Sequence, residues 1–193
     1  MPKAALKRTL VIAAVALTAA IFVLSAIESG NWFDHGVTDV VLHTEVTQPI
    51  RLTIPKINID THIEAVGVTA SGAMDAPTGP IHVGWYKFGT RPGDIGSAVI
   101  DGHSGWKDGI PAVFDKLATL EKGDKVTVED DAGAQTTFIV REMRTYDASG
   151  DASLVFNSND GKGHLNLITC EGYWDPVTKS SSKRLVVFTD EQL

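Results

Sequence analysis

A single cysteine, Cys170, is the only thiol in this 193-residue chain. A lone thiol excludes an internal disulfide, so stability has to come from a packed core, and any chemical use of Cys170 is as thiol or thiolate. Taken alone it decides nothing, because free cysteines are also among the most buried residues and commonly act as small hydrophobes. Charge is missing from a second place. Leu10 to Ile27 (LVIAAVALTAAIFVLSAI) contains no Asp, Glu, Lys or Arg, and only Thr18 and Ser25 interrupt its apolar character. Eighteen helical residues at about 1.5 Å each span roughly 27 Å, close to the thickness of a bilayer core. Lys3, Lys7 and Arg8 precede this run, and no Lys or Arg follows before Arg51. That asymmetry predicts a cytoplasmic tail over 1–9, a single transmembrane helix over 10–27, and everything beyond it outside the cell. No clean A-x-A-like site lies around Leu24 to Gly30, so the run reads as an uncleaved anchor in the cell membrane and not as a cleaved signal peptide.

Cations are scarce in the remainder too. Without Lys3, Lys7 and Arg8, 14 of the 17 Lys and Arg face all 24 Asp and Glu, a net charge of −10. So acidic a domain excludes nucleic acid as a partner and tight electrostatic docking on anionic lipid. Internal repeats and low-complexity tracts are absent. His35, His43, His62, His82 and His164 lack partners at metal-ligand spacing and read as structural or solvated.

What is present is mainly β. Residues 28–49 show no sustained period and read as an extracellular stalk, with the folded domain over 50–193. Arg51 to Ile59 alternates apolar with polar, with Pro55 marking an edge or bulge, and His62 to Val66 forms a second short strand. Ser97 to Asp101, Lys125 to Glu129, Gln135 to Thr145, His164 to Cys170 and Arg184 to Thr189 supply further strands. Asp130-Asp131-Ala132-Gly133 turns the chain between two of them. Pro111 to Leu120 carries Val113, Phe114, Leu117 and Leu120 at helical spacing between a proline and Gly123, which predicts one helix, and Asp151 to Phe156 predicts one more helical turn. Many short strands with one or two short helices indicate a closed or nearly closed β-barrel.

A nucleophilic cysteine needs a proton acceptor or cationic neighbour and a donor for the oxyanion formed on the attacked carbonyl. His103 stands just beyond a strand in Asp101-Gly102-His103-Ser104-Gly105, where glycines permit a sharply turned backbone. Arg184 opens the last strand. If that strand pairs with His164–Cys170 through a long loop over Glu171 to Lys183, Cys170 and Arg184 lie side by side. Arginine stays charged at any working pH and offers a planar fork of donors. Tyr173-Trp174-Asp175-Pro176 follows Cys170 in a segment suited to wall a groove, and Thr169 adjoins it; Trp85 and Trp106 read as packing residues.

At this point the residues resemble a family. Leu167-Ile168-Thr169-Cys170 resembles the sortase T-L-x-T-C signature, with Asn166 where the first Thr often stands. Gly102-His103 is similar to the sortase histidine and Lys183-Arg184-Leu185-Val186-Val187 to its arginine strand. Val83-Gly84-Trp85-Tyr86, Pro92-Gly93, and Ala112 through Val126 are also similar, so the likeness spans about residues 50–190. It looks most like the shorter actinobacterial classes E and F, since no D-P-x lid motif occurs in residues 28–49.

The resemblance implies an eight-stranded barrel and a membrane-anchored cysteine transpeptidase that cuts a Leu-Pro-x-Thr-Gly-like sorting motif of secreted proteins. Cys170 would form a thioester, His103 would serve as acid and then base, and Arg184 would brace the substrate. The acyl group would pass to a peptidoglycan-precursor or pilin amine. No cofactor is implied. Calcium, an activator in one branch, stays open, because Asp147, Asp151 and Asp160 do not align with its ligands unambiguously. Another exported cysteine hydrolase and a non-catalytic surface barrel are the alternatives. Papain-like enzymes place Cys before His, opposite to the order here, and L,D-transpeptidases carry S-H-G-C around the cysteine, unlike Asn-Leu-Ile-Thr-Cys.

Overall fold

A computed structural model describes residues 47–178 and 180–193. The predicted membrane span and most of the predicted stalk lie outside the described residues. Among the described residues no helix is long and apolar enough to cross a membrane.

Eight strands form a closed barrel: β1 (Pro49–Ile54), β2 (Ile59–Val66), β3 (Val83–Tyr86), β4 (Gly96–Gly102), β5 (Lys125–Asp130), β6 (Gln135–Asp147), β7 (Gly163–Asp175) and β8 (Ser180–Glu191). Around the barrel they run β1-β2-β3-β4-β7-β8-β6-β5, and β5 closes onto β1. β2 with β3 and β4 with β7 are parallel, and the other neighbours are antiparallel. Closure leaves the barrel without free edges, and strand alternation sends every second side chain inward. Leu52, Ile54, Val83, Ile100, Val126, Phe138, Leu165, Leu167 and Val187 fill the interior and are all fully buried.

The Arg51–Ile59 run is not one strand. Pro55 opens a 3-10 turn over Pro55–Ile57, and Asn58 takes a left-handed conformation (φ 57°) that sends the chain back as β2. Fixed φ at a proline followed by a residue tolerant of positive φ is turn chemistry. The predicted helix at Pro111–Leu120 is also absent; turns and a 3-10 segment over Leu117–Thr119 replace it. Its amides are spent elsewhere: Val113 N–H donates to Pro80 O, Phe114 N–H to His103 O, and Ala112 N–H to the Asp115 carboxylate. Phe114, Leu117 and Leu120, every third residue, reach the barrel core. The predicted turn near Asp151 is present as the single α-helix among the described residues, α1 (Ser153–Phe156).

A second apolar cluster covers part of the outside. Val99, Val186 and Phe188 on the outer sheet face pack under Val155 of α1, joined by Met74, Tyr86, Phe156 and Ile168. Asn166, 1% exposed, donates from Nδ2 to Val155 O at 2.6 Å and so ties α1 to the sheet. A bulge at Arg141 inserts one residue into β6 between Val140 and Glu142, which turns Glu142, Arg144 and Tyr146 to the outer face opposite Phe188, Val186 and Arg184.

His164, expected to be structural, is so in a specific way. It is buried at the start of β7, with Nδ1 2.9 Å from Asp190 Oδ1 and Nε2 3.0 Å from Asp160 Oδ1. Contact with His164 is the main reason that Asp160 titrates below the usual carboxylate range.

Candidate active site

The antiparallel register sets Cys170 on β7 directly opposite Arg184 on β8, and Arg184 opposite Tyr146 on β6. Thr169 points inward, 2% exposed, and Cys170, next along the strand, therefore points outward and is partly buried. β4 lies on the other side of β7 in parallel register, ending with Asp101 opposite Ile168. There the Thr169 hydroxyl donates to Gly102 O at 2.7 Å. This bond joins the residue before Cys170, inside β7, to the residue before His103, at the end of β4, so the two candidates follow directly from one contact. Cys170, Arg184 and Tyr146 thus form one row across the sheet, and His103 follows the end of β4 beside it.

Gly102 is needed for closeness and not for a sharp turn. A Cβ there would meet Phe114 at 2.5 Å. Beyond it, His103 Nε2 is 3.1 Å from Pro77 O, and the ring lies 4.6 Å from that of Trp106 at a 60° tilt. The Pro77 carbonyl accepts only from a protonated Nε2, which leaves Nδ1 as the nitrogen free to exchange a proton. Trp106 is therefore a wall of the histidine site and not mere packing. Trp85, by contrast, is a core residue, 5% exposed, with its indole N–H on Thr90 O.

The loop expected over Glu171–Lys183 is mostly strand. β7 and β8 run on as a two-stranded ribbon past the catalytic row, with Trp174 opposite Ser181 and Asp175 opposite Ser180. Gly172, at φ +78°, forms the bulge, where a Cβ would strike Ser182 Oγ at 2.6 Å. Tyr173 and Trp174 stand on this ribbon with 68% and 56% of their surface exposed. The ribbon also holds Arg184: Nη1 donates to Ser181 O and Lys183 O, and Nη2 to Ser180 Oγ at 3.1 Å. Of the three residues proposed from sequence as groove walls, Tyr173 and Trp174 lie exposed on the ribbon that follows Cys170. Thr169 instead faces the interior, with its hydroxyl on Gly102 O.

A parallel row, one pair further into the sheet, reads Arg144, Val186, Ile168, Asp101, Gly84, Glu64. Its centre is apolar except for Asp101. Burial pushes the Asp101 carboxyl from about 3.8 up to about 6, opposed in turn by the charge of His103, a hydrogen bond from the Gly102 N–H and the charge of Arg184. Sequence reading passed over Asp101 as the end of an apolar strand. The signal was its place two residues before His103, at the end of the strand that lies against the Cys170 strand. A separate surface hollow of about 380 Å³, lined by residues such as Ile57, Ile81, Pro111 and Lys116, shares no residue with this surface.

A closed barrel carrying an outward thiol opposite a guanidinium, with an imidazole just beyond the neighbouring strand, holds the side chains that a cysteine enzyme needs. A sortase-domain family model matches residues 52–192, and the chain belongs to the sortase family. Its members are cysteine transpeptidases, and this chain is a transpeptidase for sorting signals of the Leu-Pro-x-Thr-Gly type. Among solved structures, a lid mutant of sortase A from Corynebacterium diphtheriae is similar at TM-score 0.59 and 25% identity, covering 76% of this chain and 72% of that one. Sortase C-1 from Actinomyces oris has the same fold at TM-score 0.56 and 24% identity, with 76% of each chain covered. No curated protein matches the chain.

Proposed function

We propose that Cys170, His103 and Arg184 carry the transpeptidation. The Cys170 thiolate attacks the threonine carbonyl carbon of the sorting motif, and Arg184 donates to the oxyanion through N–H groups that its bonds to Ser180, Ser181 and Lys183 leave free. Collapse breaks the Thr–Gly bond, leaves a thioester on Cys170, and expels a glycine amine that takes its proton from the His103 imidazolium. An incoming amine then surrenders a proton to neutral His103 as it attacks the thioester, and the thiolate is released. This chemistry asks for no metal or organic cofactor. Comparison of rates with added calcium and with a chelator tests the one activator left open.

The observation that carries the reading is the Thr169–Gly102 bond, which draws the strand ends bearing Cys170 and His103 together. Tyr173 and Trp174, exposed on the adjoining ribbon, supply an apolar surface for the sorting signal. The acceptor is a peptidoglycan-precursor or pilin amine, and residues 10–27 anchor the enzyme in the cell membrane with its catalytic barrel outside. The subclass reading stays with the actinobacterial E and F types, on the missing D-P-x motif.

The test is incubation with Leu-Pro-x-Thr-Gly and Leu-Ala-x-Thr-Gly peptides, with and without a primary amine, read by intact mass and product analysis. The parent is expected to accumulate an acyl-enzyme and to show ping-pong kinetics, with amine diverting hydrolysed peptide into ligated peptide. Cys170→Ala abolishes both products, His103→Ala lowers turnover by about 10²–10⁴-fold, and Arg184→Lys, which keeps charge but loses the fork, lowers it by about 10²-fold. Parent-like activity of Arg184→Lys would refute the forked-donor role. Cleavage with neither acyl-enzyme nor amine-dependent product would point to a simple hydrolase.

A further inference from the structure

We propose that Asp101 is a third ionisable member of this active site, a positioning residue whose carboxylate holds His103 in the protonated form that the leaving amine requires. The inference rests on the catalytic reading of Cys170 and His103 given above.

Placement carries it. Asp101 is the last outward-facing residue of β4, and His103 follows two residues later, just beyond the strand; its Nε2 lies on Pro77 O, and Pro77 packs against Gly84, the residue paired with Asp101. Asp101 is opposite Ile168, and Cys170 is two residues beyond Ile168 on that same face. The carboxyl therefore sits diagonal to the thiol, on the sheet face where Pro77 meets the imidazole. Its surroundings make it effective. Ile168 on one side and Gly84 on the other offer no hydrogen-bond donor, so little competes with the neighbouring charges. The raised titration of Asp101 and the opposing influence of His103 and Arg184 agree with this placement.

Every strand packed near Asp101 brings at most one or two ionisable groups to its face. β2 supplies Glu64, across Gly84 and already accepting from Thr78 N–H at 2.9 Å. β3 supplies Tyr86, β7 supplies Cys170, β8 supplies Arg184, and β6 supplies Arg144 and Tyr146 at the far ends of the rows. Arg184 and a Cys170 thiolate exert opposite fields on His103. Asp101 is the carboxylate nearest to it along the chain, Asp115 of the segment packed on His103 already accepts from the Gly105 and Ala112 N–H groups, and attraction between carboxylate and imidazolium is mutual. Once ionised, Asp101 keeps the histidine charged to higher pH, which widens the range in which thiolate and imidazolium coexist.

The decisive experiment is the pH dependence of kcat/KM for Asp101→Asn and Asp101→Glu in the full-length protein, beside alkylation of the sole cysteine by iodoacetamide followed by intact mass. Asp101→Asn is expected to move the alkaline limb down by about half to one pH unit and to lower kcat/KM at pH 8 by about 3–10-fold. It should also shift the pH profile of Cys170 alkylation downward, since a nearby negative charge is gone. Asp101→Glu should restore most of the alkaline limb. A uniform loss at all pH values with unmoved limbs would make Asp101 merely structural and overturn the proposal, as would a parent-like profile in both assays. Cys170→Ala and His103→Ala serve as the separate check. If either stays active, the catalytic reading itself has failed, whereas inactive controls with an unshifted Asp101→Asn profile reject this inference alone.

Discussion

A carboxyl group that titrates at about 6 instead of 3.8 costs stability whenever it is ionised. In the unfolded chain Asp101 loses its proton near pH 3.8, and in the folded barrel it keeps that proton to about pH 6. Between those values the folded state binds more protons, so stability falls as pH rises through the window and stays lower above it. The shift corresponds to about 3 kcal/mol, an upper figure for a side chain that keeps some contact with water. Asp101→Asn removes the charge and nearly preserves the shape. It is expected to melt above the parent at pH 8, by an amount equivalent to about 1–3 kcal/mol, and level with it near pH 3.5. Thermal melts at the two pH values check this. A variant that is more stable and yet slower is the usual relation between an active-site charge and the fold that carries it. Its neighbour His103 shows how little a residue type conveys alone. The ring becomes informative only with Pro77 O on Nε2 and Trp106 beside it, and both contacts come from segments outside its own strand.

At the level of elements, the site depends on how closely β4 approaches the segment that follows it. Gly102 leaves no room for a Cβ against Phe114, and Phe114 is itself 1% exposed in the core. Gly102→Ala is therefore expected to destabilise the protein by about 1–3 kcal/mol through overpacking and to displace His103, lowering turnover as well. Phe114→Leu relieves the clash while leaving a void, so the double variant should be less destabilised than the sum of the two single ones. Denaturant melts of the four proteins give the coupling, and strict additivity would show that the contact is not strained in Gly102→Ala. The sequence reading places a long loop over Glu171–Lys183, where the structure has the β7–β8 ribbon. Gly172 instead makes a bulge that lets pairing continue past Cys170. The expected helix at Pro111–Leu120 failed for a related reason. Its apolar residues recur at intervals of three, which suits a 3-10 turn, and its amides found tertiary acceptors first.

For the whole molecule, the prediction concerns where the barrel sits. The uncharged run over residues 10–27, with its flanking cations on one side, predicts a membrane anchor, so protease added to intact cells is expected to cut ahead of the barrel and release a core that includes residues 47–193. Gln48 marks the inner limit of such trimming. Its backbone N–H and C=O both bond to Asp131, so the ordered structure begins before β1. Recovery in the medium of a chain starting near residue 28, without added protease, would show a cleaved signal peptide instead.

The sequence alone was enough for the class of fold and the family, because alternation, turn residues and a motif around one cysteine are local signals. Strand pairing between His164–Cys170 and the Arg184 strand was also legible, since one hairpin separates them. Three things were decided only by the tertiary structure. β3 was too short and too glycine-rich to show a period, and it exists because β2 and β4 flank it. The inward turn of Thr169, which removes it from the groove, follows from barrel closure and from its bond to Gly102, a residue 67 positions away. Asp101 became part of the site only when β4 was laid against β7, because a carboxylate acquires its field from charges that approach through space and not along the chain.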